Sequence, residues 1–372
     1  KGDATSIATN QASLVFAAST AAGGLKYTGA DGTIYQTTQT PSVATNRLFT
    51  IDTTAAAFAV IDSSGTYGNN VLTAGANNNA TLIFSNTAPI AIIGTTNLAT
   101  VVLQGTSLGD NEFNPQLVGT NVALTKAGAG LWILNNANNT YSGATTISAG
   151  QLRVPAGKLS ANSNLVLAGG VLETSGTYSA AIGTGAGQVQ WTGSSNGGFA
   201  ASTASLKVNL ASGATIAWGT TSSFNSTGTL LLNSSTSLAD VEFQNPINLG
   251  ASARTITVTD NPQTATDFAI LSGVISGASG GNVTFNGGSV LYITGANTYV
   301  GTTALTGNIV VTSIGSAGAT SSAFGTNVGG GSLSLGSGAA LIYHGPGEAV
   351  TRTINITGTT TGATIDSSGT GP

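Results

Sequence analysis

The chain contains no cysteine and no methionine, a single histidine, and charged side chains at only 6 % of its 372 residues. Without cysteine there is no disulfide scaffold and no thiolate metal site. One histidine rules out a His-based metal cluster and leaves a Ser-His-Asp set without a convincing assembly. Nine basic residues scattered along the length, at a net charge of −4, make no patch that could track a phosphate backbone, so nucleic-acid binding is not expected. No apolar run approaches the roughly 20 residues that span a bilayer, so this segment carries no expected membrane span. The opening Lys1-Gly2-Asp3 lacks a charged-then-apolar leader, and with no Met the chain reads as a mature or internal piece of something longer.

Glycine, Ala, Ser, Thr and Asn take the place of the charges, which make up about a quarter of a typical soluble domain. The hydrophobic content is nevertheless 40 %, which disordered chains do not reach. These apolar residues come in short pulses. Leu206-Lys207-Val208-Asn209-Leu210, Ile216-Ala217-Trp218, Val241-Glu242-Phe243, Ile247-Asn248-Leu249, Ile256-Thr257-Val258 and Leu333-Ser334-Leu335 alternate with a period of two, the signature of strands. Helical spacing is nearly absent, and glycine interrupts the chain throughout. Ala211-Ser212-Gly213, Asn233-Ser234-Ser235, Asn286-Gly287-Gly288 and Gly329-Gly330-Gly331 read as turns, because Asn and Gly tolerate left-handed backbone angles.

Self-similarity then selects the fold. Leu124 to Val154 and Val283 to Val311 share a hydrophobic strand, Asn-Thr-Tyr, a residue, Gly, a Thr-containing strand and a further strand (Asn139-Thr140-Tyr141 with Gly143; Asn297-Thr298-Tyr299 with Gly301). A longer echo joins the ends: Leu25-Lys26-Tyr27, Arg47 to Ile51 and Ile61-Asp62-Ser63-Ser64 recur as Leu341-Ile342-Tyr343, Arg352 to Ile356 and Ile365-Asp366-Ser367-Ser368. Repetition of this kind marks a stacked array. Sandwich boundaries and a propeller-blade period are missing, so the expected fold is all-β, a right-handed parallel β-helix (β-solenoid) of roughly 20–25 residues per rung. Residues 1–372 are expected to form a single continuous solenoid segment of a larger array, with repeat-like units near 25–66, 124–154, 283–311 and 341–372.

The Leu124-Thr125-Lys126-Ala127-Gly128-Ala129-Gly130 and Asn139-Thr140-Tyr141-x-Gly143 phrases, with Ala149-Gly150 and Leu152-Arg153-Val154, resemble the autotransporter-associated β-strand repeats, or passenger-associated transport repeats, of large bacterial surface and secreted proteins. The second copy departs from the pattern, with Phe285 in place of the lysine and Gly307-Asn308 in place of Ala-Gly. The resemblance implies a β-helical passenger, exported to the cell surface or released outside the cell.

Single residues were weighed against that architecture. Asp110 with Glu112, and Asp240 with Glu242, have the spacing of an acid/base or Ca²⁺ pair. However, Val241 and Phe243 must face the core, which turns Asp240 and Glu242 to solvent, and Gly109, Asn111, Asn114 and Pro115 make the first pair a loop. His344 stands where Thr28 stands in the earlier copy, so its position does not demand an imidazole. Lys126 and Lys207 lie in strands with their ammonium groups expected outside. Gly329 to Gly331 precede no Lys-Ser and no helix, so they are a turn rather than a phosphate cradle. Arg47, Arg254 and Arg352 each precede a strand and are followed by Asp62, Asp267 and Asp366, an arrangement that predicts a recurring bridge between strands. Trp132, Trp191, Trp218, Tyr141 and Tyr299 are candidates for a sugar-stacking platform, but Tyr141 and Tyr299 are expected to pack at turns and Trp191 and Trp218 to fill the core. No catalytic, cofactor or metal site is expected. The sequence reads as a non-enzymatic, extracellular structural or adhesive solenoid, with self-association, other surface components or glycans as partners. A carbohydrate-active β-helix enzyme or a glycan-binding module is the alternative.

Overall fold

A computed structural model describes residues 14–16, 23–27, 43–55, 57–64, 80–94, 97–219, 224, 227–316, 318–326, 331–358 and 360–367. The chain divides into two compact units, one formed by Lys1–Leu172 with Thr184–Val189 and the other by Glu173–Gly183 with Gln190–Pro372. The fold is the parallel β-helix read from the sequence. Short strands return to pair, in parallel, with the strand one turn of the coil earlier.

In the first unit one face stacks Gly23–Tyr27, Ala57–Ser63, Ala99–Gln104, Val122–Lys126, Thr145–Ile147 and Leu165–Leu167. A second stacks Val43–Thr45, Leu82–Phe84, Glu112–Phe113, Leu131–Leu134 and Gln151–Arg153. A third opens with Val15–Phe16, Thr50–Asp52 and Ala91–Ile93 and continues as short turns, where Gln116 N donates to Ala88 O and Thr140 N to Leu117 O.

The second unit repeats the plan. The beginning of the long strand Gly197–Val208 leads a stack of Leu230–Leu232, Arg254–Val258, Val283–Gly287, Thr303–Leu305, Leu333–Leu335 and Ile354–Ile356. The end of the same strand leads Val241–Phe243, Ala269–Leu271, Leu291–Ile293, Asn308–Val311, Ala340–Tyr343 and Thr364–Asp366. Ile216–Ala217, Ile247–Asn248 and Ile275–Ser276 form the third face. Asn286 and Gly287 end a strand here rather than forming a turn.

Alternation fixes which side chains enter the coil. Val241 and Phe243 are buried and Glu242 between them is half-exposed, and the same pattern holds at Leu333-Ser334-Leu335 and Leu291-Tyr292-Ile293. Inward residues then stack in columns, such as Val241, Ala269, Leu291, Ile309 and Leu341, all with no exposed surface. Each large aliphatic member contributes roughly 1.5–3 kcal/mol on burial. The coils are not uniform. Leu124 lies opposite Thr145 and Thr145 opposite Leu165, steps of 21 and 20 residues, whereas Ala59 to Val101 takes 42 and Leu291 to Ile309 takes 18. The echo of the chain ends is a structural echo too. Leu25 faces Ile61 and Lys26 faces Asp62, while Leu341 faces Ile365 and Ile342 faces Asp366. The rest of the 25–66 phrase at 28–42, 56, 65 and 66, the end of the later copy from 368 onward, Thr28, Gly329 and Gly330 lie outside the described residues. Among the described residues no helix is long and apolar enough to cross a membrane, a statement that does not concern strands.

One corner of the first unit is built from glycine alone. Gly105, Gly128 and Gly150 occur one per coil with φ of +121°, +66° and +63°. A Cβ on Gly128 would lie 2.5 Å from Gly105 O, and one on Gly150 would lie 2.5 Å from Gly128 O. Gly157 also has a positive φ, +75°, but a Cβ there meets nothing within 4 Å. The pair therefore separates backbone strain from close stacking. Gly157→Ala is expected to cost about 1–2 kcal/mol in urea unfolding, and Gly128→Ala clearly more, with the excess measuring the approach of adjacent coils. Equal losses would show that the stacking contact is unimportant.

Candidate functional site

The coil from Leu124 to Val154 holds Lys126, Trp132 and the Asn139-Thr140-Tyr141 phrase singled out in the sequence. Register places Ile61, Leu103, Lys126, Ile147 and Leu167 in one inward column, each fully buried. Lys126 thus points into the coil and not, as expected from its strand context, into solvent. Its Nζ donates to the carbonyls of Ala127 (2.8 Å), Gly128 (2.7 Å) and, on the next coil, Ala149 (3.1 Å). The glycine corner turns these oxygens toward it. Burial lowers the ammonium pKa from 10.5 to about 7. The sequence carried a signal for this: the second copy has Phe285 at the matching place, and Phe285 is itself inward and fully buried.

The Asn-Thr-Tyr phrase acts at the following corner. Asn139 Oδ1 accepts from Leu117 N on the preceding coil (2.9 Å), and its Nδ2 donates to Asn136 O (2.7 Å). Tyr141, without exposed surface, bonds through its hydroxyl to Thr145 Oγ1 (2.6 Å), which reaches Ser163 Oγ on the next coil (2.8 Å). Burial raises the Tyr141 pKa to about 12 against the opposing effect of those hydroxyls. In the second copy Asn297 Oδ1 accepts from Ile275 N, Asn297 Nδ2 donates to Ala323 O, and Tyr299 bonds to Thr303 Oγ1 at 2.7 Å. The motif residues tie coil to coil at bends where the strand ladder stops.

The acidic candidates do not converge. Asp110 pairs with Arg153 at 3.0 Å with 67 % of its side chain exposed, whereas Glu112 belongs to the strand Glu112–Phe113, not a loop, and accepts from Asn114 Nδ2 (3.0 Å). Asp240 accepts from Ser205 Oγ, and Glu242 from Ser272 Oγ (2.7 Å) with Lys207 Nζ 3.8 Å away. Asp240 and Glu242 lie on the outer surface of their sheet, and Lys207 keeps its ammonium outside. His344 is half-buried at the end of a strand.

The contacts seen for Arg352, Arg254, Asp267 and Asp62 are not the predicted arginine–aspartate bridges. Arg352 gives its donors to carbonyls of Ile314, Gly331, Gly325 and Thr326, at 2.7–3.2 Å, so it caps loop ends rather than meeting Asp366. Arg254 lies over the Trp218 ring, 5.7 Å from its centroid, and donates to Trp218 O (2.8 Å). Asp267 instead accepts from Asn261 N (2.6 Å) and Ser289 Oγ (3.3 Å), and Asp62 from Ser64 Oγ and Gln104 Nε2. Burial is the main cause that raises the Asp267 pKa, with the charge of Asp260 adding to it. Both buried arginines sit beside coil interiors, where main-chain carbonyls are the nearest acceptors.

Glu173, a carboxylate the sequence did not single out, is fully buried and accepts from Thr236 Oγ1 (2.6 Å) and Ser234 Oγ (3.2 Å). Trp132, Trp191, Trp218, Tyr141 and Tyr299 are interior and form no platform. Trp132 Nε1 donates to Gln104 O and Trp191 Nε1 to Gly197 O, and Tyr178, Phe199, Trp191, Phe224 and Trp218 stand in ring contact at 4.6–5.9 Å. Among the described residues no group of three or more His, Asp or Glu side chains gathers as metal ligands would.

Lys126 gives this coil a pH dependence. Below about pH 7 the ammonium is charged in both states and the whole cost of burying it is present. Between 7 and 10.5 the unfolded chain holds a proton that the folded protein has released, so stability rises with pH. Urea midpoints of the wild type are expected to climb through that window more steeply than those of Lys126→Met. Parallel pH profiles would show that Lys126 is not a titrating buried group.

No curated protein and no solved structure matches the chain. Residues 124–154, the coil in which Lys126, Asn139, Tyr141 and Gly150 bind one turn to the next, match the model of the passenger-associated-transport-repeat, and the chain carries that repeat there.

Proposed function

We propose that this chain is a structural and adhesive segment of a bacterial surface or secreted fibre, of autotransporter-passenger type, that acts outside the cell without catalysing a reaction. The observation that carries the reading is the passenger-associated-transport-repeat at 124–154, within which Asn139, Lys126 and Thr145 bond to neighbouring coils. In this reading the repeat-like units near 25–66, 124–154, 283–311 and 341–372 belong to one larger array, and 1–372 is one continuous stretch of it.

The mechanism is geometric. A parallel coil satisfies its main chain internally, so it needs few charges to remain ordered, and a surface with few charges offers little repulsion to a neighbouring copy or to an uncharged matrix. Long side faces then supply many weak contacts at once, which add as avidity rather than as one tight site.

Two measurements test this. Protease treatment of intact cells making the parent protein is expected to remove the segment, and electron microscopy of the native material is expected to show it in surface fibres or their shed fragments. Protection of the segment inside intact cells would overturn the reading. Sedimentation of the purified chain is expected to show mass growing with concentration. A monomer at every concentration, with no filaments, would remove self-association from it.

A further inference from the structure

The chain passes between its two units three times rather than once. Lys1–Leu172 belongs to the first unit, Glu173–Gly183 to the second, Thr184–Val189 to the first again, and Gln190–Pro372 to the second. Each unit is therefore completed by a short arm that the other half of the sequence supplies. Both arms are firmly placed. In the second unit Glu173 is fully buried and accepts from Thr236 Oγ1 and Ser234 Oγ, and the Tyr178 ring lies 5.1 Å from that of Phe199. Asn209 N donates to Tyr178 O (3.0 Å) and Ala211 N to Ala180 O (2.8 Å). In the first unit Gly187 N donates to Ser163 O and Leu165 N to Gln188 O, both at 2.9 Å. Asn164 Nδ2 also donates to Gln188 O, and Val189 has no exposed surface.

The turn between the arms is of another kind. Thr184-Gly185-Ala186-Gly187 is the longest run of consecutive exposed residues among the described residues. It holds no charged or bulky side chain, and within the described residues neither Thr184 nor Ala186 makes a hydrogen bond. Gly185 is its anchor: its N–H donates to Gln188 Oε1 (2.9 Å), and its carbonyl accepts from Gln188 N (3.2 Å) and Asn164 Nδ2 (3.0 Å). Exposed loop tips made of small residues are preferred sites of proteolytic nicking, because a protease must draw the chain out locally before it can cut.

We infer that this turn is a cleavage site for an endoprotease that selects small side chains, and that cleavage there leaves the two halves of the chain joined. Water adds across the Ala186–Gly187 peptide bond, leaving a carboxylate on Ala186 and an amine on Gly187. The first half, ending at Ala186, still carries Glu173–Gly183 into the second unit. The second half, beginning at Gly187, still carries the bonds of Gly187 and Gln188 and the buried Val189 into the first. Each half thus holds a piece of the other's unit, so the broken bond frees neither. The inference follows from the path of the chain and stands independently of the surface reading above.

Elastase, which cuts after alanine, tests this on the whole folded chain. Early digestion is expected to give two fragments of nearly equal length on a denaturing gel, the second beginning at Gly187. In native buffer the nicked protein is expected to elute from a sizing column with the intact protein. Its halves are expected to part only at the urea concentration where the circular dichroism is lost. Thr184→Glu with Ala186→Glu is expected to slow the cut roughly tenfold, because an unpaired charge does not fit an apolar specificity pocket. Tyr178→Ala is expected to release the halves of the nicked protein at lower urea. Val189→Ala, on the other arm, is expected to do the same and serves should the first variant fail to fold, with circular dichroism of the uncut chain as the check. A first cut outside 184–187, halves that separate in native buffer, or folded arm variants that hold as tightly as the wild type would overturn the inference.

Discussion

Every main-chain N–H and C=O that a coil removes from water must find a partner on the coil above or below, and this requirement organises the molecule. Along strands the parallel ladder meets it. At the bends it fails, and buried side-chain amides take over. Asn111 accepts from Leu82 N on one coil and donates to Leu131 O on another. Asn233, at φ +58°, accepts from Ala201 N and donates to Phe268 O. Asn297 does the same between Ile275 N and Ala323 O. An amide carries a donor and an acceptor on one short side chain, so it replaces a missing peptide pair without bringing charge inside.

Where a bend leaves only carbonyls, the protein uses cations. Lys126 collects the oxygens of Ala127, Gly128 and Ala149, and Arg352 those of four residues from Ile314 to Gly331. This explains how a chain with few charges comes to bury several of them. Among the described residues neither Lys126 nor Arg352 stands in an ion pair, and burial is the leading influence on the pKa of both cations. It also explains what the polar residues of the repeat motif do in the architecture. Lysine, asparagine and tyrosine look like site residues in a sequence, yet each is held inside the coils by its neighbours.

Much of this was legible beforehand. Period-two alternation gave the inward and outward assignment at Val241-Glu242-Phe243 and Leu333-Ser334-Leu335, and the double Asn-Thr-Tyr phrase marked two equivalent corners. Trp191, Trp218, Tyr141 and Tyr299 are interior as expected. The arginine–aspartate bridges failed because spacing along the chain says little about coils whose length varies from 18 to 42 residues. Lys126 was misplaced because composition makes lysine a surface residue, and only its column, between Leu103 and Ile147, shows that it points inward.

The sequence by itself determined the class of fold, since strand periodicity, small turn residues and repetition are local properties that every coil states again. It also determined the family resemblance, which rests on a contiguous run from Leu124 to Val154. Tertiary structure alone decided the partners of the charged groups, the inward column that holds Lys126, and the close glycine corner. These depend on which residues of successive coils come into register. Register is set by the number of residues each loop absorbs, and no local pattern in the chain encodes that number.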